Sequence, residues 1–265
     1  MRFHLSSLAL LSIVCAATSC QSLGSDPHEW DTRDAVVRAG DRQVYGEDGR
    51  VEVVEASAPR QPRRRPLLAS DFEQFRTSVT DAGIWSGGPA KRYEWVGRKS
   101  FAKMVEIGLQ PDDKVLDVGA GSLRVGWWIL NYIDPENYYA IEPVESRILP
   151  VVDMLDVDIN LYHNMDFEYP SEKFDWVIAR SIWSHASKWM ISKMISEFAE
   201  NSAPQGKFLT SVVPALTAEE DYMGEEWYGK IQKDDKPGII KHSLDWIDAE
   251  CAKHGLIFTE QGVIG

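Results

Sequence analysis

The sequence predicts an α/β fold: a mostly parallel, twisted sheet with helices on both faces. Three observations predict it. Between residues 114 and 261, apolar runs of strand length alternate with segments of helical apolar spacing, the pattern of repeated β-α units. A glycine-bearing stretch, "DVGAGSLRVG", joins the first strand of that alternation to its first helix. Acidic residues stand where three successive strands end: Asp117, Glu142 and Asp166.

The elements follow in order. "SDFEQFRTSVTDAGIW" carries Phe72, Phe75 and Val79 at helical spacing behind a Ser70 cap signal, and the fold is expected to start near Asp71. A second helix is expected over 89–107, ended by Gly108 and followed by Pro111. Strands are expected at 114–118, 138–141, 159–163, 174–179, 207–213 and 256–261. Helices are expected at 122–133, 144–155, 188–201 and 243–254. The segment 214–243 contains no clear strand. It is acidic and aromatic, and its length favours a lid over a substrate, with a disordered loop as the alternative.

The N-terminal part reads differently. "MRFHLSSLALLSIVCAATSC" begins with a basic Arg2 and continues as an apolar or small run too short to span a bilayer. Residues 1–20 resemble a secretory signal peptide. Ala17, Thr18, Ser19 and Cys20 resemble the lipobox of bacterial lipoproteins, whose cysteine is cleaved at and lipidated, so Cys20 is the expected lipid anchor and the cell envelope the expected location. If 1–20 is no signal, the location is cytoplasmic. Residues 21–70 read as a disordered linker: "SAPRQPRRRP" holds three prolines and four arginines and buries no core. The folded domain is then 71–265.

Composition narrows function. The chain has 265 residues and a net charge of −13. Residues 1–70 carry nine basic and nine acidic side chains, so the whole excess lies in 71–265. Such a surface disfavours an extended nucleic-acid contact and suits a small-molecule substrate. The three cysteines, Cys15, Cys20 and Cys251, have neither metal-ligand spacing nor a disulfide framework. No metal is expected.

The chemistry concentrates at the glycine loop. Gly119 and Gly121, with Ala120 between them, let the backbone approach a ligand. A dinucleotide fingerprint wants glycine or alanine where Arg124 stands, and a carboxylate at Asp117 would oppose a pyrophosphate. The same carboxylate suits the ammonium of an amino-acid cofactor. Glu142 is placed to accept from two ribose hydroxyls, a device that dinucleotide enzymes share. Asp166 is placed to accept from an adenine amino group, and Phe167 to flank the ring.

Together "VLDVGAG", "YYAIEP", "NMDFEYP", "FDWVIA" and "SAPQGKFLTSV" resemble, in order and spacing, the class I S-adenosylmethionine-dependent methyltransferases. The likeness runs from about Tyr93 to Gly265. It implies a Rossmann-like methyltransferase fold, S-adenosyl-L-methionine as cofactor, and a cofactor site of Asp117, Gly119, Ala120, Gly121, Glu142, Asp166, Phe167 and Arg180. Two departures stand out. Gln205 replaces one of two glycines that the family carries before its fifth strand. Only one closing strand is visible, where the family closes its sheet with an antiparallel pair.

In that family the segment after the fourth strand, here "ARSIWSHASKW", faces the transferred methyl group. His185 is the candidate general base or substrate ligand, or it caps the following helix. Trp183, Tyr222, Trp227 and Tyr228 are the candidate acceptor contacts. Arg180 also has a claim to a structural ion pair. The expected activity is methyl transfer to a small-molecule or glycan-type acceptor. The alternatives are an envelope-anchored binding protein on a non-catalytic methyltransferase fold and, less favoured, a dinucleotide-dependent enzyme.

Overall fold

A computed structural model describes residues 8–15, 42–45, 51–54, 69–84, 92–229 and 238–264, the first three segments as backbone strands. The chain divides into two compact units, one of Met1–Thr18 with Leu67–Gly265, the other of Ser19–Pro66.

The larger unit holds β1 (Leu8–Cys15), α1 (Ala69–Asp81), α2 (Tyr93–Glu106), β4 (Val115–Val118), α3 (Gly126–Leu130), β5 (Tyr138–Ile141), α4 (Glu145–Leu155), β6 (Asn160–Tyr162), β7 (Phe174–Ala179), α5 (Lys188–Asn201), β8 (Ser202–Val212), α6 (Leu244–Lys253) and β9 (Leu256–Ile264). The smaller unit holds β2 (Arg42–Tyr45) and β3 (Val51–Val54), an antiparallel pair with Arg42 opposite Val54 and Tyr45 opposite Val51. That hairpin lies where the sequence was read as linker. The alternating "VEVV" and the glycine-flanked "GEDG" before it are the overlooked signal.

The main sheet has the order β6-β5-β4-β7-β8-β1-β9. The five strands from β6 to β8 are parallel. From β4 the chain winds first outward through β5 and β6, then returns to the other side of β4 as β7 and β8. The strand order therefore reverses between β4 and β7, and the crevice beyond their carboxyl ends is where ligands of such sheets bind.

Both faces are covered, and β7 shows how. Trp176 and Ile178 pack with Phe72, Phe75, Tyr93, Met104 and Trp127 on one face. Val177 and Ala179 pack with Ile191, Met194, Phe198, Ile247 and Cys251 on the other. Strand side chains alternate between faces, so a strand buried on both reads as a continuous apolar run. The apolar side chains of α1 recur at Phe72, Phe75 and Val79, all buried against the first face.

Several boundaries differ from those expected. Helix α3 covers only Gly126–Leu130, because Gly121 (φ +59°) and Leu123 (φ +57°) keep the preceding chain in tight turns. Strand β8 starts at Ser202, and its register against β7 shifts between Phe174 and Trp176. Within it Gln205 takes φ +63°, a left-handed backbone that explains why glycine suits this position. Ser70 lies inside α1 and does not cap it.

The missing closing strand is β1. Leu8–Cys15 pairs antiparallel with β8 from Ala9–Val212 to Val14–Lys207, and antiparallel with β9 from Leu8–Ile264 to Cys15–Leu256. The apolar run that resembles an export signal thus serves as a strand with partners on both sides. Removing residues 1–19 would leave β8 without its outer partner and β9 without any partner. Loss of both ladders should lower the melting temperature by more than about 5 °C. A truncated chain that melts with the full one would show that β1 adds nothing to the fold.

Candidate functional site

The crevice is built on a seam between β4 and β5. The N–H groups of Gly119 and Ala120 both donate to the Ile141 carbonyl, at 2.8 and 3.1 Å. The next N–H, of Gly121, donates to Glu142 Oε2 at 2.8 Å. Gly119 (φ +71°) lies under Ile182, and a Cβ there would stand 2.1 Å from the Ile182 side chain. The loop after β7 therefore rests directly on the glycine loop, and a side chain at Gly119 would have to displace the tip of Ile182 and hold a left-handed backbone.

This seam bears on the dinucleotide alternative. A pyrophosphate cradle needs loop N–H groups free and aimed at the ligand. Here the first three N–H groups of the loop are already bonded to the end of β5. The helix that follows is five residues long and begins only at Gly126.

Glu142 is 3 % exposed at the end of β5. Its other oxygen, Oε1, accepts from Val144 N at 3.0 Å and from Arg147 Nη1 at 3.3 Å. Beside it, His163 Nδ1 lies 2.8 Å from the Glu142 carbonyl. A carbonyl only accepts, so the His163 proton sits on Nδ1.

Asp117 is 2 % exposed. Tyr138 Oη donates to its Oδ2 at 2.7 Å. Burial pushes its carboxyl up to about 7; the Tyr138 bond and nearby Arg124 oppose that rise, and Glu142 adds to it. Above it, Tyr93 donates to the Ser122 carbonyl and shares a 3.0 Å contact with Ser122 Oγ. Helix α2 presses on the same turn: a Cβ at Gly97 would meet the Arg124 carbonyl at 2.1 Å. Tyr93 and Tyr138 were not among the residues singled out from sequence. Each reads as core in its own segment and becomes part of the site only through the fold.

Asp166 is exposed, and Asn164 Nδ2 (2.6 Å) and Glu168 N (3.1 Å) both donate to its Oδ1. The Asn164 bond, then the Glu168 bond, hold its carboxyl below the usual range. Phe167 takes φ +60°, an uncommon backbone for a bulky residue. Ser181 has φ +64° at the end of β7. Strained residues of this kind concentrate where backbone geometry serves a ligand site. Leu123, Phe167 and Ser181 all lie just beyond the carboxyl ends of strands.

The sequence offered Arg180 a structural ion pair. Among the described residues it has none. Its Nη1 donates to Ser181 Oγ (2.9 Å) and to Ser211 Oγ (2.8 Å), and its Nε has no partner.

The segment 214–243 is ordered in its described parts. Backbone bridges join Pro214 to His242 and Asp221 to Lys241. Lys188 reaches Asp221 at 2.6 Å, and Lys241 reaches Glu220 at 2.5 Å. Two of the acids that gave the segment its charge are therefore internal ties. His242, fully buried, bonds the Ala186 carbonyl through Nε2 at 2.9 Å and completes the anchor; nothing in the sequence marked it.

His185 lies beneath this segment. Its Nδ1 is 2.8 Å from the Tyr228 carbonyl, its own carbonyl accepts from Tyr228 N, and its ring stacks on Trp227 at 5.6 Å. The Tyr228 carbonyl places the ring proton on Nδ1. Burial lowers its pKa, and the Tyr228 and Gly238 backbones work against that. His185 thus ties down the segment 214–243 while lying in the segment that follows β7. Tyr222 and Tyr228 line a cleft of about 330 Å³ with Glu220, Ile239, Ile240 and Lys241. Trp183 does not join them. It is 0 % exposed and meets Phe208 edge-on at 5.5 Å, so the expected acceptor contact is corrected to a core residue.

No family model matches the chain. Solved structures similar to it include magnesium protoporphyrin IX methyltransferase (ChlM) from Synechocystis with bound SAH, at 15% identity and TM-score 0.48, covering 73% of this chain and 97% of that one. Another is an S-adenosylmethionine-dependent methyltransferase from Clostridium acetobutylicum, at 14% identity and TM-score 0.45, covering 70% and 86%. A third is DesVI of Streptomyces venezuelae, at 18% identity and TM-score 0.37; the match covers 48% of this chain and 58% of that one.

The buried carboxyl makes stability depend on pH. Unfolded, Asp117 ionises near its ordinary 3.8; folded, near about 7. Between those values the folded state holds the extra proton, so this group's contribution to stability falls as pH rises. Asp117→Asn removes the titration and keeps an acceptor for Tyr138. Urea unfolding from about pH 4 to 7 should show a flatter profile in the variant. Parallel profiles would mean that Asp117 is ionised in the folded chain throughout.

Proposed function

We propose that this chain is an S-adenosylmethionine-dependent methyltransferase acting on a small-molecule or glycan-type acceptor. One observation carries the reading. Around the strand-order reversal, the fold gathers a glycine loop with its N–H groups tied off, a buried carboxylate at the next strand end and an acid–aromatic turn at the third. That set suits a nucleoside with an amino acid attached and does not suit a pyrophosphate.

The residues fit such a cofactor. Gly119 and Gly121 hold the loop in backbone that carries no side chain toward the crevice. Glu142 offers a carboxylate to ribose hydroxyls, Asp166 an acceptor to adenine, and Phe167 a ring beside it. When bound, the cofactor supplies a methyl group already activated on a sulfonium. What remains for the protein is alignment of the acceptor and exclusion of water. The lid, tied down through His185, Asp221 and His242, is suited to both. His185, in the segment that follows β7, is the side chain we assign to accept a proton from an acceptor hydroxyl or amine.

The location rests on residues 1–20. A chain cleaved before Cys20 and lipidated there would belong to the cell envelope; a chain that keeps β1 retains the sheet described above. The intact mass of the protein from its host distinguishes them, since a retained Met1 or Arg2 excludes the lipid anchor.

Calorimetry tests the cofactor. The full chain should bind S-adenosylmethionine and not NAD. Glu142→Ala should weaken binding by roughly 1.5–3 kcal/mol, the scale of charge-assisted hydrogen bonds. Unchanged affinity would remove Glu142 from the ribose site.

Once an acceptor is known, His185→Ala and the Trp227→Ala, Tyr228→Ala pair should lower turnover about tenfold or more while cofactor affinity stays within about twofold. Equal loss of both would assign these residues to the fold or to the cofactor.

A further inference from the structure

The charge balance beside the glycine loop leaves one group unexplained. Arg180 is 7 % exposed and Arg124 9 %. The two guanidiniums are linked through one hydroxyl: Ser181 Oγ accepts from Arg180 Nη1 at 2.9 Å and from Arg124 Nη2 at 3.3 Å. Ser211 Oγ, on β8, takes the other bond of Arg180 Nη1 at 2.8 Å. Arg124 feels Asp117 and Tyr93 nearby. Arg180 forms no ion pair among the described residues, and its Nε is buried without a partner.

Burial lowers the Arg180 pKa to about 9, and repulsion from Arg124 adds to the fall. Even so, the side chain is charged at neutral pH. A buried charge without a counter-ion costs several kcal/mol. Neutral serine hydroxyls orient the guanidinium but do not neutralise it. The planar fork of arginine matches one chemistry in particular, the two oxygens of a carboxylate. Its position supports that match: β7 ends at Ala179, next to the strand-order reversal, and Ile182 of the same turn rests on Gly119.

We propose that Arg180, oriented by Ser181 and Ser211 and reinforced by Arg124, is a carboxylate seat at the floor of the crevice. Two molecules would bring a carboxylate there, the amino-acid end of the cofactor or an acidic methyl acceptor. The first source rests on the methyltransferase reading; the seat itself does not. Of the acids in 214–243, Asp221 and Glu220 are paired with lysines.

The test uses the full chain, Arg180→Gln and Arg180→Lys. Calorimetry compares S-adenosylhomocysteine with methylthioadenosine, which keeps the nucleoside and thioether but lacks the amino acid. Melting in sodium acetate against sodium chloride of equal ionic strength, with and without S-adenosylhomocysteine, probes a free carboxylate. If the cofactor fills the seat, Arg180→Gln weakens S-adenosylhomocysteine about tenfold or more, leaves methylthioadenosine within about twofold, and acetate stabilises only the cofactor-free wild type. If the acceptor fills it, S-adenosylhomocysteine binds the variant normally, and acetate still stabilises the loaded wild type but not the variant. Arg180→Lys, which keeps the charge, should fall between wild type and Gln and serves if the Gln variant does not fold. The proposal is overturned if both nucleosides weaken equally, or neither does, and acetate stabilises wild type no more than chloride. A wild type that binds neither nucleoside refutes the methyltransferase reading, and the acetate comparison then decides the seat alone.

Discussion

The hydrogen-bond seam between the glycine loop and the end of β5 is the constraint on which the rest of the site depends. Two N–H groups bond the Ile141 carbonyl and a third bonds the Glu142 carboxylate. The seam fixes the loop in left-handed turns, and those turns set everything downstream. They shorten α3, bring the Arg124 backbone against α2, and leave Gly119 bare beneath Ile182. A buried N–H without a partner is costly, so a loop that spends its N–H groups internally has few to offer a phosphate.

A second consequence is a concentration of polar groups under the loop. Asp117, Tyr138, Tyr93, Ser122, Arg124, Ser181 and Arg180 lie together where an ordinary sheet would bury only apolar side chains. Low dielectric makes each hydrogen bond there stronger and each unmatched charge more expensive. Asp117 responds by holding its proton to higher pH. Arg180 responds too, its pKa falling to about 9 with burial, but its charge persists at neutral pH and calls for a counter-ion.

The segment 214–243 follows the same logic beyond the carboxyl ends of β7 and β8. In one dimension the segment is simply acidic and aromatic. In three, Asp221 and Glu220 are matched by Lys188 and Lys241, and the backbone around Tyr228 is matched by His185. Sequence separation hid these pairs. Asp221 and Lys188 are 33 residues apart, and neither has a local pattern that announces the other.

The sequence by itself determined the alternation of strands and helices, the parallel sheet and its buried faces, because period and burial are properties of short windows. Strands β5 and β7 and helix α5 lie where periodicity put them. It determined the glycine loop and the acids at strand ends for the same reason: each is a local pattern at a local boundary. It did not determine which residues face one another across those ends. Only tertiary structure placed Trp183 in the core, joined Arg124 to Arg180 through Ser181, and set Tyr138 against Asp117. Only tertiary structure supplied the missing strand from Leu8–Cys15, which is separated from β8 and β9 by most of the chain. An apolar run states that it will leave water. It does not state what it will pair with, because strand pairing is decided by partners and not by the run itself.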